Sequence, residues 1–198
     1  MTPPNKGAAS QARIFIAVPL PDSLKEQLRE WAEILKSEVS FRKWTDWRDY
    51  HITLQFLGDM DTARIADLVL ALKRSTDDLV PFQLRLGDVG TFGTTDRPRV
   101  LWQDVEGEVD HLSRLQERIV DATEPLGFQK ETRPYHPHIT VARNYTGIAA
   151  FQRSEKKSLA LANLTWKVES FVVYATQLGQ QPMYKVMDEI PIKGAETC

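Results

Sequence analysis

His51-Ile52-Thr53-Leu54 and His138-Ile139-Thr140-Val141 set the same tripeptide before an apolar residue in the two halves of a 198-residue chain, using two of its four histidines. In an extended strand residues i and i+2 project from one face, so each copy sets an imidazole beside a hydroxyl while its apolar partners turn away. Two imidazoles serving one substrate atom suit displacement at phosphorus. A neutral ring takes a proton from the nucleophile and a protonated ring delivers one to the departing oxygen, with no metal or covalent intermediate. The Thr53 and Thr140 hydroxyls are then donors to non-bridging phosphate oxygens, and Arg143 supplies the opposing positive charge. In random order two such tripeptides would arise about once in 10,000 chains.

Other residues near the motifs read less chemically. Arg143 is five residues after His138, so a regular strand turns it to the opposite face; it reaches the phosphate only if the strand bends or ends near Ala142. Phe56 shares parity with Ile52 and Leu54, which predicts burial. Of the nearby aromatics, Trp44 and Tyr135 are the candidates for stacking on an exposed base, while Trp47 and Phe92 read as core. His111 falls at a helix start and His136 precedes Pro137, which distorts a strand, so neither is read as catalytic. Arg133 reads as a surface charge. A metal site from His51, His136 and His138 is the rival reading, but no carboxylate stands at ligand spacing. Lys43, Arg48 and Arg99 are cations available to guide a nucleic acid strand.

The elements that must position these groups recur. Arg13-Ile14-Phe15-Ile16-Ala17-Val18 reads as a strand, Pro19 and Pro21 as breakers, and Ser23 with Glu26 as a capping box. Leu24, Leu28, Trp31 and Leu35 then form one helical stripe. Val100 to Val105 is the corresponding strand, and Leu112, Leu115 and Ile119 mark a helix ending near Gly127. Arg13 to His51 and Val100 to His138 are both 38 residues. Beyond the first motif come a helix carrying Ile65, Leu68 and Leu72 and a strand from Phe82 to Leu86. Beyond the second, a helix near 149–160 leads to a strand from Trp166 to Tyr174. His51 to Phe82 and His138 to Glu169 are both 31 residues. The expected fold is α+β and bilobal: two duplicated α+β lobes, related by a pseudo-two-fold axis, whose antiparallel sheets face a central cleft. The expected boundaries are a disordered arm over 1–11, one bilobal domain over 12–192 and a tail over 193–198.

Composition narrows the class. A 42% hydrophobic content supports a real core. No apolar run approaches the ~20 residues of a membrane span, and the Thr-Pro-Pro-Asn-Lys start lacks a secretory h-region, which points to the cytoplasm. Cys198 is the sole cysteine, so no internal disulfide or thiolate cluster forms, and in that compartment the sequons at Asn144 and Asn163 carry no meaning. A net charge of −2 excludes a coat for long nucleic acid but not a grip on one RNA end or nucleotide.

Arg13-Ile14-Phe15-Ile16-Ala17, the run His51 to Asp59, and the run Arg133 to Arg143 together resemble the two-histidine phosphoesterase superfamily, and within it the bacterial and archaeal RNA 2′,3′-cyclic phosphodiesterases, historically 2′-5′ RNA ligases. Val100-Leu101-Trp102 and the closing stretch to Tyr184 fit as well, so the likeness runs over 13–190. The resemblance implies hydrolysis of a terminal 2′,3′-cyclic phosphate on RNA to a 2′-phosphomonoester by a monomer without metal or cofactor, with reversible 2′-5′ joining as a second activity. It implies His51 as the proton donor, His138 as the base, and a strand bend that brings Arg143 in. The motifs alone leave those two roles interchangeable. Two rivals stand beside it: a related esterase for ADP-ribose cyclic phosphate or 2′-5′ oligoadenylate, and a non-catalytic RNA-end binder.

Overall fold

The structure, a computed structural model, describes residues 11–151, 161 and 164–194. Nine strands form one antiparallel sheet: β1 (Gln11–Pro19), β2 (Phe41–Trp44), β3 (His51–Asp61), β4 (Phe82–Gly93), β5 (Pro98–Gly107), β6 (His138–Tyr145), β7 (Thr165–Val168), β8 (Ser170–Thr176) and β9 (Tyr184–Pro191). The spatial order is β7-β4-β5-β6-β3-β1-β8-β9, with β2 also paired to β6. The order is nearly palindromic about the β6–β3 junction, the mark of the pseudo-two-fold. The two lobes are therefore halves of one continuous sheet, joined where Ile52 pairs with Ile139.

The lobes are not the two halves of the sequence. β4, from the first half, pairs with β5 and β7; β8, from the second, pairs with β1 and β9. The first half thus lends β4 to the lobe of β5 and β6, and the second half lends β8 and β9 to the lobe of β3 and β1. The predicted single strand from Trp166 to Tyr174 accordingly breaks at Glu169. Residues 165–168 alternate exposed and buried, which suits the outermost strand β7. Residues 171–175 are buried on both faces, which suits an interior strand.

Among the described residues three α-helices cover one face: α1 (Asp22–Glu38), α2 (Ile65–Ser75) and α3 (Val109–Thr123). Their stripes, Leu24, Leu28 and Trp31, Leu68 and Leu72, and Leu112, Leu115 and Ile119, meet Ile14, Ile16, Ile52, Leu54, Ile139 and Val141 in one core. Ile52 and Ile139 are both fully buried, and each contributes about 1.5–3 kcal/mol. The middle residue of each motif thus anchors its strand and leaves the flanking His and Thr on the helix-free face. Gly127, at positive φ, ends the turn after α3 as expected.

Two local expectations change. Helix α1 starts at Asp22 with Pro21 as its cap and no side-chain capping bond, so Ser23 and Glu26 lie inside the first turns and form no capping box. Proline's fixed φ leads into the helix instead. Strand β1 opens at Gln11, ahead of the predicted Arg13. Residues 149–151 are not helical, and the remainder of the helix expected near 149–160 lies outside the described residues, as do 1–10 and 195–198. No helix among the described residues is long and apolar enough to cross a membrane.

Candidate functional site

Antiparallel pairing of Ile52 with Ile139 sets His51 across from Thr140 and Thr53 across from His138. The four side chains form a square on the face away from the core, with the two histidines on one diagonal, a relation in which residues sit about 7–8 Å apart and their Cβ atoms somewhat closer. The duplicated sequence predicts that the two motifs serve one shared site, and the structure makes their strands, β3 and β6, immediate neighbours where the two lobes meet.

Both rings are held in the same way. His51 Nδ1–H donates to the Asp49 carbonyl oxygen at 2.7 Å, and His138 Nδ1–H to that of His136 at 2.7 Å. A carbonyl cannot donate, so each neutral ring carries its proton on Nδ1 and turns Nε2 toward the open face. His51 Nε2 lies 3.1 Å from Thr53 Oγ1. The Asp49 carboxylate is buried and accepts N–H bonds from Met183 (2.8 Å) and Tyr184 (3.1 Å). Asp49 therefore fixes the His51 ring through its backbone and the Tyr184 strand through its side chain. Tyr135 Oη donates to the Thr53 carbonyl at 3.2 Å, steadying the first motif from behind.

The two walls are aromatic but different. Phe15, Tyr174 and Tyr184 surround His51, with ring centroids 5.0, 6.0 and 5.2 Å away. Phe92 stands edge-on to His138 at 4.9 Å and Trp102 lies 6.1 Å from it. Gly90, opposite Trp102, leaves the space the indole fills.

Burial pushes the His51 imidazole down to about 4, helped by the charges of His138, Arg143 and Lys25. Burial also lowers His138, with His136 and Arg143 adding to the effect, but Asp104 directly across the sheet opposes it. Burial is the leading cause for both rings and depresses His51 the more strongly, so His138 is the more basic of the two.

One consequence concerns stability. Between about pH 6.5 and pH 4 the unfolded chain binds a proton at His51 that the folded chain refuses, so stability falls as pH falls through this window. His51 alone is expected to remove about 2 kcal/mol between pH 7 and pH 5. Denaturant unfolding at the two pH values should show this loss, and His51→Gln should reduce it. An equal loss in the variant would refute the assignment.

Arg143 joins the site through a β-bulge. Along β5 the partner of Trp102 is Thr140 and that of Leu101 is Ala142, so Val141 is an extra residue. The bulge reverses the parity of the residues after it and turns Arg143 to the histidine face. Strand β3 does the same: Ala17 pairs with Thr53 and Ile16 with Gln55, leaving Leu54 as the extra residue. Its equivalent of Arg143 is Phe56, which is 58% exposed, with its ring 5.8 Å from that of Phe15. The bulge at Leu54 thus overturns the burial that strand parity predicts for Phe56.

A family model described as the 2′-5′ RNA ligase superfamily matches residues 20–180. The chain belongs to that superfamily. Its similarity to curated superfamily proteins is broad: it is 37% identical over 185 residues to an RNA 2′,3′-cyclic phosphodiesterase of Geobacillus stearothermophilus, covering 93% of this chain and 59% of that one. It is 35% identical over 173 residues to one from Bacillus subtilis, covering 86% and 91%. Thus the chain spans less than two thirds of the Geobacillus protein but most of the Bacillus one. Crystal structures of a Thermus thermophilus protein (TM-score 0.74, 29% identity) and of E. coli LigT (TM-score 0.75, 23% identity) each cover 92% of this chain and 99% of their own. These structures share the fold described above, an antiparallel sheet with helices on one face.

Among the remaining candidates of this superfamily member, Trp44 packs edge-on to Phe41, with Lys36 over its ring at 5.6 Å, and Tyr135 is committed to Thr53. Phe56 offers the more open ring, and it escapes the sequence because no residue type announces the bulge. Phe92, read as core, instead forms part of the His138 wall. His136 is exposed beside Trp102, at 4.8 Å, and precedes β6. His111 lies in the first turn of α3 and stacks on Phe82. Arg48 is spent on Asp46, whereas Lys43 pairs in register with Arg143. Arg99 and Arg133 are exposed. Among the described residues no three His, Cys, Asp or Glu side chains gather to hold a metal.

Proposed function

We propose that this protein hydrolyses the 2′,3′-cyclic phosphate at an RNA 3′ end to a 2′-phosphomonoester, with His51 and His138 as the acid–base pair. The observation that carries the reading is the Ile52–Ile139 pairing, which puts two Nε2 atoms and two threonine hydroxyls on one face beside Arg143. His138, the more basic ring, takes the proton of the attacking water as its oxygen bonds to phosphorus. His51, whose imidazolium is the stronger acid, protonates the 3′ oxygen as the bond from phosphorus to that oxygen breaks. The cyclic phosphate's negative charge offsets the burial and the Arg143 field that keep His51 neutral in the empty site, so substrate binding itself favours the protonated donor.

Thr53 and Thr140 donate to the non-bridging oxygens, and Arg143 meets the charge that grows on them. Phe56, at the far end of the site from Arg143, is the surface against which the terminal base stacks. With a 5′ hydroxyl in place of water the same proton transfers join it to the cyclic end in a 2′-5′ linkage, His138 taking the hydroxyl proton as its oxygen bonds to phosphorus and His51 protonating the departing 3′ oxygen; the two histidines trade roles only when that linkage is cleaved back. The relatives named as RNA 2′,3′-cyclic phosphodiesterases support this substrate class.

The test is a short RNA with a 2′,3′-cyclic end, incubated with the protein in a strong chelator, and the product isomer identified by phosphorus NMR. A 2′-phosphate is expected. A 3′-phosphate, or tight binding without turnover, would overturn the proposal.

A further inference from the structure

Next to the histidine square, between β2 and the turn that leads into β9, lies a cavity of about 460 Å³, lined in part by Lys43, Asp46, Asp49, Gln180, Gln181 and Met183. Its volume falls within the range that holds a nucleotide-sized ligand. Asp49, on its wall, ties it to the site: the Asp49 carbonyl holds His51 and its carboxylate holds the Met183 and Tyr184 amides.

Both acids that line the cavity are already engaged. Asp46 forms a two-pronged pair with Arg48, at 2.9 and 2.7 Å, and Asp49 accepts its two backbone N–H bonds. Lys43 is not: among the described residues neither it nor Arg143 forms an ion pair. Yet these two cations are register partners on adjacent antiparallel strands, Lys43 on β2 and Arg143 on β6. Like charges directly opposite each other destabilise a sheet, and an anion lying over both would relieve that cost. Arg143 is assigned to the reacting phosphate, so Lys43 faces the next anion along the ligand. Gln180 and Gln181 bring amide donors and acceptors that suit a ribose or a base edge.

The geometry points to a second nucleotide subsite: this cavity seats the nucleotide that precedes the cyclic phosphate, and Lys43 meets the phosphodiester joining the two. The inference rests on the function proposed above and narrows it, because the favoured substrate becomes an oligonucleotide end rather than a mononucleotide. The chain runs out of the site past Arg143 and Lys43, while the terminal base lies toward Phe56.

Equilibrium binding of two reaction products tests it without turnover: adenosine 2′-monophosphate, and the dinucleotide ApA carrying a 2′-phosphate. The wild-type protein is expected to bind the dinucleotide about tenfold more tightly. In Lys43→Ala that preference should shrink to about twofold, and the salt dependence of dinucleotide binding should fall by about 0.7 in log–log slope, the value for one single-strand phosphate contact. Lys43→Arg should keep the preference. Equal affinity of the wild-type protein for both products, or an unchanged preference in Lys43→Ala, would overturn the subsite and leave the proposed reaction standing. Failure to bind either product would overturn both.

Discussion

His51→Ala and His138→Ala are each expected to lower turnover of a 2′,3′-cyclic RNA end by about 100-fold or more, with the fold intact. The size of the loss reflects the absence of one proton transfer from the transition state. The fold survives because each ring projects from the helix-free face, while the neighbouring Ile52 and Ile139 carry the core contacts. Steady-state rates with circular dichroism as the control would measure both. The two variants should also differ. With a diester whose leaving group is an activated phenol, no proton need be delivered to the departing oxygen, so His51→Ala should recover most of its rate and His138→Ala should not. Near-normal rates in both variants on the RNA substrate would contradict the mechanism.

Arg143→Ala is expected to cost about 100-fold in kcat/KM, the scale found when one group facing the developing phosphoryl charge is removed. Arg143→Lys should recover only part of it, because an ammonium keeps the charge but not the planar fork that grips two oxygens. A second readout separates this role from a structural one. The Arg143 charge depresses both His51 and His138, so its removal should let both rings hold their protons to higher pH. The acidic limb of the rate profile should then move upward in Arg143→Ala and stay near its wild-type position in Arg143→Lys. A uniform drop in rate with an unmoved profile in both variants would count against it.

Side-chain pattern encodes periodicity, and periodicity is the part of this fold that the chain alone makes legible. The duplicated tripeptides, the equal spacings of 38 and 31 residues, and the stripes of α1, α2 and α3 are all of this kind, and the structure places them close to where they are expected. Pairing is a different kind of information. Nothing in Leu54 or Val141 distinguishes them from ordinary inward-facing strand residues, yet each is the extra residue of a bulge, and the two bulges decide where Phe56 and Arg143 point. The exchange of β4 and β8 between lobes is equally silent locally, although the change from alternating residues at 165–168 to a continuous apolar run at 171–175 is a usable sign that one strand has ended.

The supporting groups escape the sequence for related reasons. Asp49 precedes His51 by two residues just as His136 precedes His138, so comparing the repeats points to a shared backbone role. The Asp49 carboxylate's hold on the Met183 and Tyr184 amides, 134 and 135 residues away, has no such signal. Asp104 reaches His138 only through the register of β5 on β6, which shows no trace in the sequence of either strand.

Nitrogen NMR of histidine-labelled protein, titrated with a nucleoside 2′-monophosphate, tests most directly whether both imidazoles serve one phosphorus. The Nε2 signals of His51 and His138 are predicted to shift together with a single binding constant, and the His51 signal, neutral down to about pH 4 in the free protein, to gain protonation on binding at higher pH. A phosphate that perturbs only one of the two rings, or perturbs them with separate affinities, would contradict it.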